Sequence, residues 1–212
     1  MLHIAKFTFS PIQENTYVLY TPDGLAAIID PGCYFDHEKT ALANFIAEKT
    51  LNVQFLLQTH CHLDHVFGLQ WAAETYQLQP HMHPIEEQVL QFAPISGQRW
   101  NLPFTNYSGP IHYLNDNDTL QLGNNTLQAI FAPGHSPGHL CYYCAEQDFI
   151  IAGDVLFERS IGRTDLPGGD HDTLLNSIRN RLFTLPENTV VHPGHGDATK
   201  IGLEKRNNPF LQ

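Results

Sequence analysis

The chain has 212 residues, 42% of them hydrophobic, with 13 histidines and 22 Asp and Glu against 11 Lys and Arg, for a formal net charge of −11. That length buries a full core in one or at most two domains. The acidic balance disfavours a nucleic-acid substrate, whose phosphates need clustered cations. No stretch approaches the roughly 18 apolar residues of a membrane span, and Met1 to Ser10 lacks an apolar core of signal-peptide length, so a cytoplasmic protein is expected.

In chain order, Thr16 to Ile29 reads as a hairpin turning on Thr21-Pro22-Asp23-Gly24, and Asp36 to Lys49 as a helix. Val53, Phe55, Leu56 and Leu57 form a short apolar strand. From Val66 to Leu78, apolar residues at Val66, Leu69, Ala73 and Tyr76 keep the spacing of one helical face. Strands follow at Thr126 to Ala132, Phe149 to Ala152 and Thr189 to Val191, with a helix at Asp172 to Leu182 before the last. Strands alternating with helices predict an α/β arrangement. No low-complexity tract, charge run or linker divides the chain, so residues 1–212 read as a single domain.

Between the apolar strand and the helix that follows lies Thr59-His60-Cys61-His62-Leu63-Asp64-His65-Val66-Phe67-Gly68. His60 and His62 are spaced to reach one metal ion, and Asp64 and His65 to turn toward a second. Imidazoles with a carboxylate suit zinc, iron or manganese better than calcium or magnesium, which prefer oxygen shells. Two ions need further ligands, and His135, Asp154 and His195 each follow a glycine at a strand end, where the backbone can turn a side chain back over the sheet. The expected assignment is His60, His62 and His135 on one ion, Asp64, His65 and His195 on the other, and Asp154 bridging.

The other histidines are expected elsewhere. His3, His37, His112 and His171 read as surface or structural, His81 and His83 as facing apart along a short strand, and His139 and His192 as neighbours of the ligand loops. Cys33, Cys61, Cys141 and Cys144 make no disulfide framework in a chain this long, and Cys141-x-x-Cys144 reads as a reduced, structural pair within an apolar run.

The order H-x-H-x-D-H, histidine, aspartate, histidine, together with Asp30-Pro31-Gly32 after the second strand, closely resembles the metallo-β-lactamase superfamily over nearly all 212 residues. Within it the chain looks like the short bacterial type II glyoxalases, which share segments like Gly162-Arg163-Thr164-Asp165 and the tail from Glu204 to Leu211. The resemblance implies a four-layer αββα sandwich, two mixed sheets flanked by helices with metals at one sheet edge, and the same seven ligands. It also implies two divalent ions, Zn²⁺ first with Fe or Mn as alternatives. The implied activity is hydrolysis of a 2-hydroxyacyl thioester such as S-lactoylglutathione by a metal-bridging hydroxide that Asp64 orients as well as helps to ligate. The partner would be a small, glutathione-linked molecule, with no nucleic acid and no membrane.

In longer glyoxalases II a basic residue at the place of Arg163 contacts glutathione, which makes Arg163 the candidate substrate-binding residue, with Lys200 and Arg206 as further carboxylate partners. This sequence departs from the longer enzymes in carrying Asp165 where they have a tyrosine, and in having only 17 residues after His195. The alternative within the superfamily is a persulfide dioxygenase with one iron on His60, His135 and Asp154. A β-lactamase is a weaker expectation, for want of an export signal.

Overall fold

The computed structural model describes all 212 residues. Three strands open the chain, β1 (His3–Phe9), β2 (Glu14–Tyr20) and β3 (Leu25–Ile29), then α1 (Asp36–Glu48), β4 (Asn52–Leu57), α2 (Leu63–Val66), α3 (Leu69–Tyr76), β5 (Pro80–Met82), α4 (Glu86–Arg99) and β6 (His112–Tyr113). The second half holds β7 (Thr119–Leu122), β8 (Asn125–Phe131), β9 (Leu140–Cys144), β10 (Phe149–Gly153), the small hairpin β11 (Leu156–Phe157) and β12 (Ser160–Ile161), α5 (His171–Ser177) with a π-helical extension over Ile178–Leu182, β13 (Val190–Pro193), β14 (Thr199–Lys200) and α6 (Ile201–Asn207). One sheet runs β1-β2-β3-β4-β5-β6 and the other β14-β13-β10-β9-β8-β7.

Side-chain alternation along the strands builds four layers from these two sheets. Tyr17, Leu19, Ala27, Ile29 and Leu57 meet Leu127, Ala129, Leu140, Tyr142 and Ile151 in a core between the sheets. The alternate residues Val18, Ala26, Ile28 and Leu56 pack instead on Leu42, Leu69, Ala72 and Leu90 of α1, α3 and α4. On the far side, Ile130, Cys141, Ile150 and Val191 cover Leu174, Ile178 and Ile201 of the second helical layer. The expected αββα sandwich is therefore three cores separating four layers. Cys141 and Cys144, three positions apart on one strand, fall into two different cores, so they share no ligand or redox partner.

The expected elements are present with changed edges. The 66–78 helix is interrupted at Phe67-Gly68, where the Gly68 amide donates to the Pro31 carbonyl (2.8 Å), and the 172–182 helix begins at His171 and ends in the π turn. The hairpin turn is as read, the Gly24 amide donating to the Thr21 carbonyl (3.0 Å). Helix α4 was not expected, because Pro94 and Gly97 inside it are breakers in isolation. Pro94 has no N–H for the Leu90 carbonyl, and the Asn106 side-chain amide supplies the donor instead (2.8 Å). His81 stacks on His112 and His83 on Phe131, so the two do part company. The reason differs from the expected one: positions two apart on a strand share a face, but β5 ends at Met82.

Candidate metal centre

β3 and β4 are parallel, as are β10 and β13, and β8 lies two antiparallel steps from β10, so it runs the same way. These five strands deliver Asp30, the His60 to His65 loop, His135, Asp154 and His195 to one edge of the sandwich. Hydrogen bonds join the sheets there: Asn15 N donates to the Gly194 carbonyl (2.7 Å), the Tyr17 hydroxyl to the Pro193 carbonyl (2.7 Å) and Leu140 N to the Thr59 carbonyl (2.8 Å). Gly134 and Gly153 take positive φ (131° and 49°), as a turn after a strand requires. Gly194 does not, and it is a glycine for space: a Cβ there would stand 2.1 Å from Asp154 Oδ1.

All seven residues singled out in the sequence meet at this edge. His60, His62 and His135 form one group of converging ligand atoms and Asp64, His65 and His195 another. Between them, Asp154 Oδ2 lies 3.5 Å from both His135 Nε2 and His195 Nε2, and its Oδ1 lies 3.5 Å from His65 Nε2. Asp64 Oδ2 is 3.1 Å from His195 Nε2.

For four of the five ligand imidazoles the far ring nitrogen shows which tautomer is held, whereas His62 turns its Nδ1 toward His135 Nε2 (2.9 Å). His135 Nδ1 faces the Arg163 carbonyl (2.7 Å), His195 Nδ1 the Gln13 carbonyl (3.1 Å) and His65 Nδ1 the Asp30 carboxylate (3.0 Å). These partners only accept, so Nδ1 carries a proton and Nε2 is left to present a lone pair to a metal. The Thr59 hydroxyl spends its proton on Asp30 Oδ2 (2.6 Å), and so accepts from His60 Nδ1 (3.0 Å). Two bare Nε2 lone pairs, of His60 and His135, then face each other at 3.1 Å, and His65 Nε2 and Asp154 Oδ1 are buried without a partner. Such an arrangement is repulsive unless positive charge lies between the groups, and a divalent cation fits it.

Electrostatics agree. Burial, then the neighbouring histidines, push His60 well below the usual imidazole range, and burial brings His62 down to about 3, which keeps both neutral and able to ligate. Burial also opposes ionisation of Asp154, yet His65 and His195 outweigh it and hold the carboxyl well below its ordinary value. His65 is pushed up against its burial by Asp154 and Asp64, the same carboxylates that would attract a dication. No Lys or Arg approaches Asp30, Asp64 or Asp154 within ion-pair distance.

Of three supporting residues, Asp30 was marked in the sequence only by the family resemblance, His139 only as a neighbour of the ligand loops, and Glu86 not at all. Asp30 holds Thr59 through its amide (2.7 Å) and hydroxyl, and His65 through Nδ1. Glu86, fully buried at the start of α4, accepts from Cys61 N (2.7 Å), Gly138 N (2.7 Å) and the Ser136 hydroxyl (2.5 Å), tying the His60–His65 loop to the His135 loop. His139 stacks on His60, and its Nε2 accepts from the Asp154 amide (3.1 Å). His192 lies instead against Tyr17 and Phe149, away from the centre. Cys61 Sγ turns to Met82 Sδ (3.6 Å) and leaves the ligands alone. Replacing Glu86 by Ala strands three buried donors at about 1–3 kcal/mol each; a fall in stability of roughly 3 kcal/mol or more, with weakened metal retention, is expected from denaturation and metal analysis.

Beside the centre opens a cavity of about 620 Å³ lined by Asp64, His62, His135, Asp154 and His195 and by residues of α4 and the segment from β11 to Gly168. Arg163 lines it, but its guanidinium is paired in two parallel hydrogen bonds with Asp165 (both 2.7 Å). Lys200 and Arg206 do not reach the cavity, and Arg206 pairs with Glu187 (2.8 Å).

A four-layer sandwich carrying a histidine and carboxylate cluster at one sheet edge is the architecture of a metal-dependent hydrolase fold. A metallo-beta-lactamase superfamily model matches residues 10–195, and the chain belongs to that superfamily. Among relatives, it is 40% identical over 207 residues to the probable metallo-hydrolase YqgX of Bacillus subtilis, covering 97% of this chain and 96% of that one. It is 35% identical over 212 residues to the hydroxyacylglutathione hydrolase GloC of Haemophilus influenzae, covering 99% and 98%. Solved structures with the same fold include the BLEG-1 B3 metallo-beta-lactamase (TM-score 0.90, 39% identity, 99% of this chain and all of that one) and TTHA1623 in a di-iron-bound form (TM-score 0.88, 37% identity, 98% and 100%). ETHE1 from Myxococcus xanthus is more distant (TM-score 0.79, 25% identity, 98% and 83%). No helix is long and apolar enough to cross a membrane.

Proposed function

We propose that the protein is a two-metal thioester hydrolase acting on 2-hydroxyacyl thioesters of the S-lactoylglutathione kind. The observation that carries this reading is the position of the Asp154 carboxylate between two three-residue ligand groups. His60, His62 and His135 would hold one ion, Asp64, His65 and His195 the other, with Asp154 between them; zinc, iron or manganese suits these donors. Two bound ions supply Lewis-acid polarisation of a carbonyl and acidify a water to near neutrality. The likeness to a di-iron structure and to a hydroxyacylglutathione hydrolase supports it.

The chain's own residues do the rest. Asp64, whose burial is outweighed by its His65 and His195 neighbours, stays ionised and can hold the attacking water by accepting its hydrogen bond. As the water gives up a proton to Asp64, its oxygen forms a bond to the thioester carbon, the C–S bond breaks, and the sulfur leaves as a thiolate that needs little protonation, since thiols ionise near pH 8.5. Arg163 is the one guanidinium in the cavity wall, and Asp165 competes with any substrate carboxylate for it. Asp165→Asn should lower KM for a glutathione thioester about threefold while leaving kcat nearly unchanged, the scale of an exposed ion pair; steady-state kinetics on S-lactoylglutathione measures it.

Metal analysis alongside S-lactoylglutathione hydrolysis, nitrocefin hydrolysis and oxygen uptake on glutathione persulfide tests the assignment. About two metals per chain with thioester turnover supports it. One iron with oxygen consumption would instead establish the dioxygenase reading, and turnover of nitrocefin alone would establish a β-lactamase.

A further inference from the structure

The cavity is more apolar than a lactoyl group requires. Helix α4 lends Val89 and Phe92 to its wall and the residue just past its end lends Trp100, and Phe157, Leu166 and Pro167 add to the lining from β11 toward α5. Phe92 and Trp100 remain 42% and 57% exposed, apolar area held open to water beside the ligand cluster rather than folded into the core. The centre and this wall share one cavity, whose only Lys or Arg is the Arg163 already paired with Asp165. A volume of about 620 Å³ falls in the range of sites for drug-sized ligands, and the apolar wall stands on the α4 side of it while Arg163 marks where a carrier carboxylate would sit.

We infer that the preferred substrates are 2-hydroxyacyl thioesters whose acyl group carries a sizeable uncharged apolar tail, aliphatic or aromatic, seated along α4. The inference rests on the thioesterase reading. It leaves the chemistry unchanged: the C–S bond breaks, water oxygen joins the acyl carbon, and the products are a 2-hydroxy acid with an apolar tail and a thiol. Burying each added methylene is expected to raise kcat/KM about three- to fourfold until the cavity is filled.

The test compares glutathione thioesters of lactate, 2-hydroxybutyrate, 2-hydroxyhexanoate and mandelate, which share carrier and reacting group and differ only in the tail. The expected result is a hexanoyl-to-lactoyl ratio of kcat/KM of roughly tenfold or more. Phe92→Ser should cut that ratio about threefold or more, and Phe210→Ser, an exposed phenylalanine away from the cavity, should leave it in place. A ratio near one, a ratio that falls with length, or a ratio untouched by Phe92→Ser in folded protein overturns the inference. Binding of non-hydrolysable thioether analogues with the same tails is measured by calorimetry in parallel. If no thioester is turned over, the thioesterase reading fails by itself. The thioether series then decides the apolar site: affinity rising with tail length supports it, and flat affinity overturns it.

Discussion

Asp64→Asn is expected to lower kcat for thioester hydrolysis by about 10²–10⁴-fold, the range for a lost proton acceptor at the reacting water. The substitution keeps the side chain's shape, so the difference comes from charge. Asp64 Oδ2 lies 3.1 Å from His195 Nε2 and 3.9 Å from His65 Nε2, on the side of the centre that opens to the cavity. An amide there neither balances a dication nor accepts a proton, so the metal content should fall from about two ions per chain toward one. Retention of most activity at full metal content would sink the assigned role. Unchanged circular dichroism alongside lost activity would show that the site, and not the fold, had been altered.

Chelation is expected to have the second large effect, on stability. Ions that bind only the folded chain stabilise it by about 2.7 kcal/mol each at a hundredfold excess over Kd. Two such ions in a chain of this size correspond to a fall in Tm of roughly 10 °C or more on removal. The stability that remains should depend steeply on pH. His60, His62, His135, His139 and His192 are all held below the ordinary imidazole value, chiefly by burial, His62 at about 3 and His192 at about 4. In the unfolded chain these groups take up protons near pH 6.5, and in the folded chain only at lower pH. Between about pH 6.5 and 3 the unfolded state therefore binds more protons, so stability falls as pH falls.

His65 and His195 are raised and act in the opposite sense, their contribution present below pH 6.5 and lost as pH rises through their folded values. The buried carboxyls of Glu14 and Glu86, raised chiefly by burial, act in that same sense below their own folded values. Four such groups against seven lowered histidines, His81 and His83 included, leave a net loss on the acid side. Asp64 and Asp154, both lowered, add to it below about pH 4. Urea denaturation of the chelated protein from pH 7.5 to 4 measures the trend, and a flat or rising stability toward acid would contradict it.

The chemistry-bearing residues were legible in the sequence because each carries a local mark. His60 to His65 are contiguous, and His135, Asp154 and His195 each follow a glycine at the end of an apolar run, so chain-local information located all seven. The same holds for the α/β class and the first hairpin, which rest on periodicity and turn residues over spans of ten or so positions. Which groups support the ligands, and through which partners, was not legible. Glu86 acts on Cys61 and Gly138, 25 and 52 positions away, and Asp30 on Thr59 and His65, 29 and 35 positions away. A buried carboxylate with distant partners looks, in sequence, like any acidic residue.

Helix α4 shows the same division. Its Pro94 and Gly97 argue against a helix locally, and it forms because Leu90, Ala93 and the Asn106 amide repay the lost hydrogen bond through tertiary contacts. With α4 in place, Phe92 and Trp100 become a cavity wall, and Arg163 proves to be held by Asp165. Residue type and local spacing suffice to name the atoms available to hold metal, since ligand chemistry resides in them. Which imidazole nitrogens turn toward the centre, what charge lines the cavity and how much apolar surface stands beside the centre depend instead on groups that the fold brings together from distant parts of the chain.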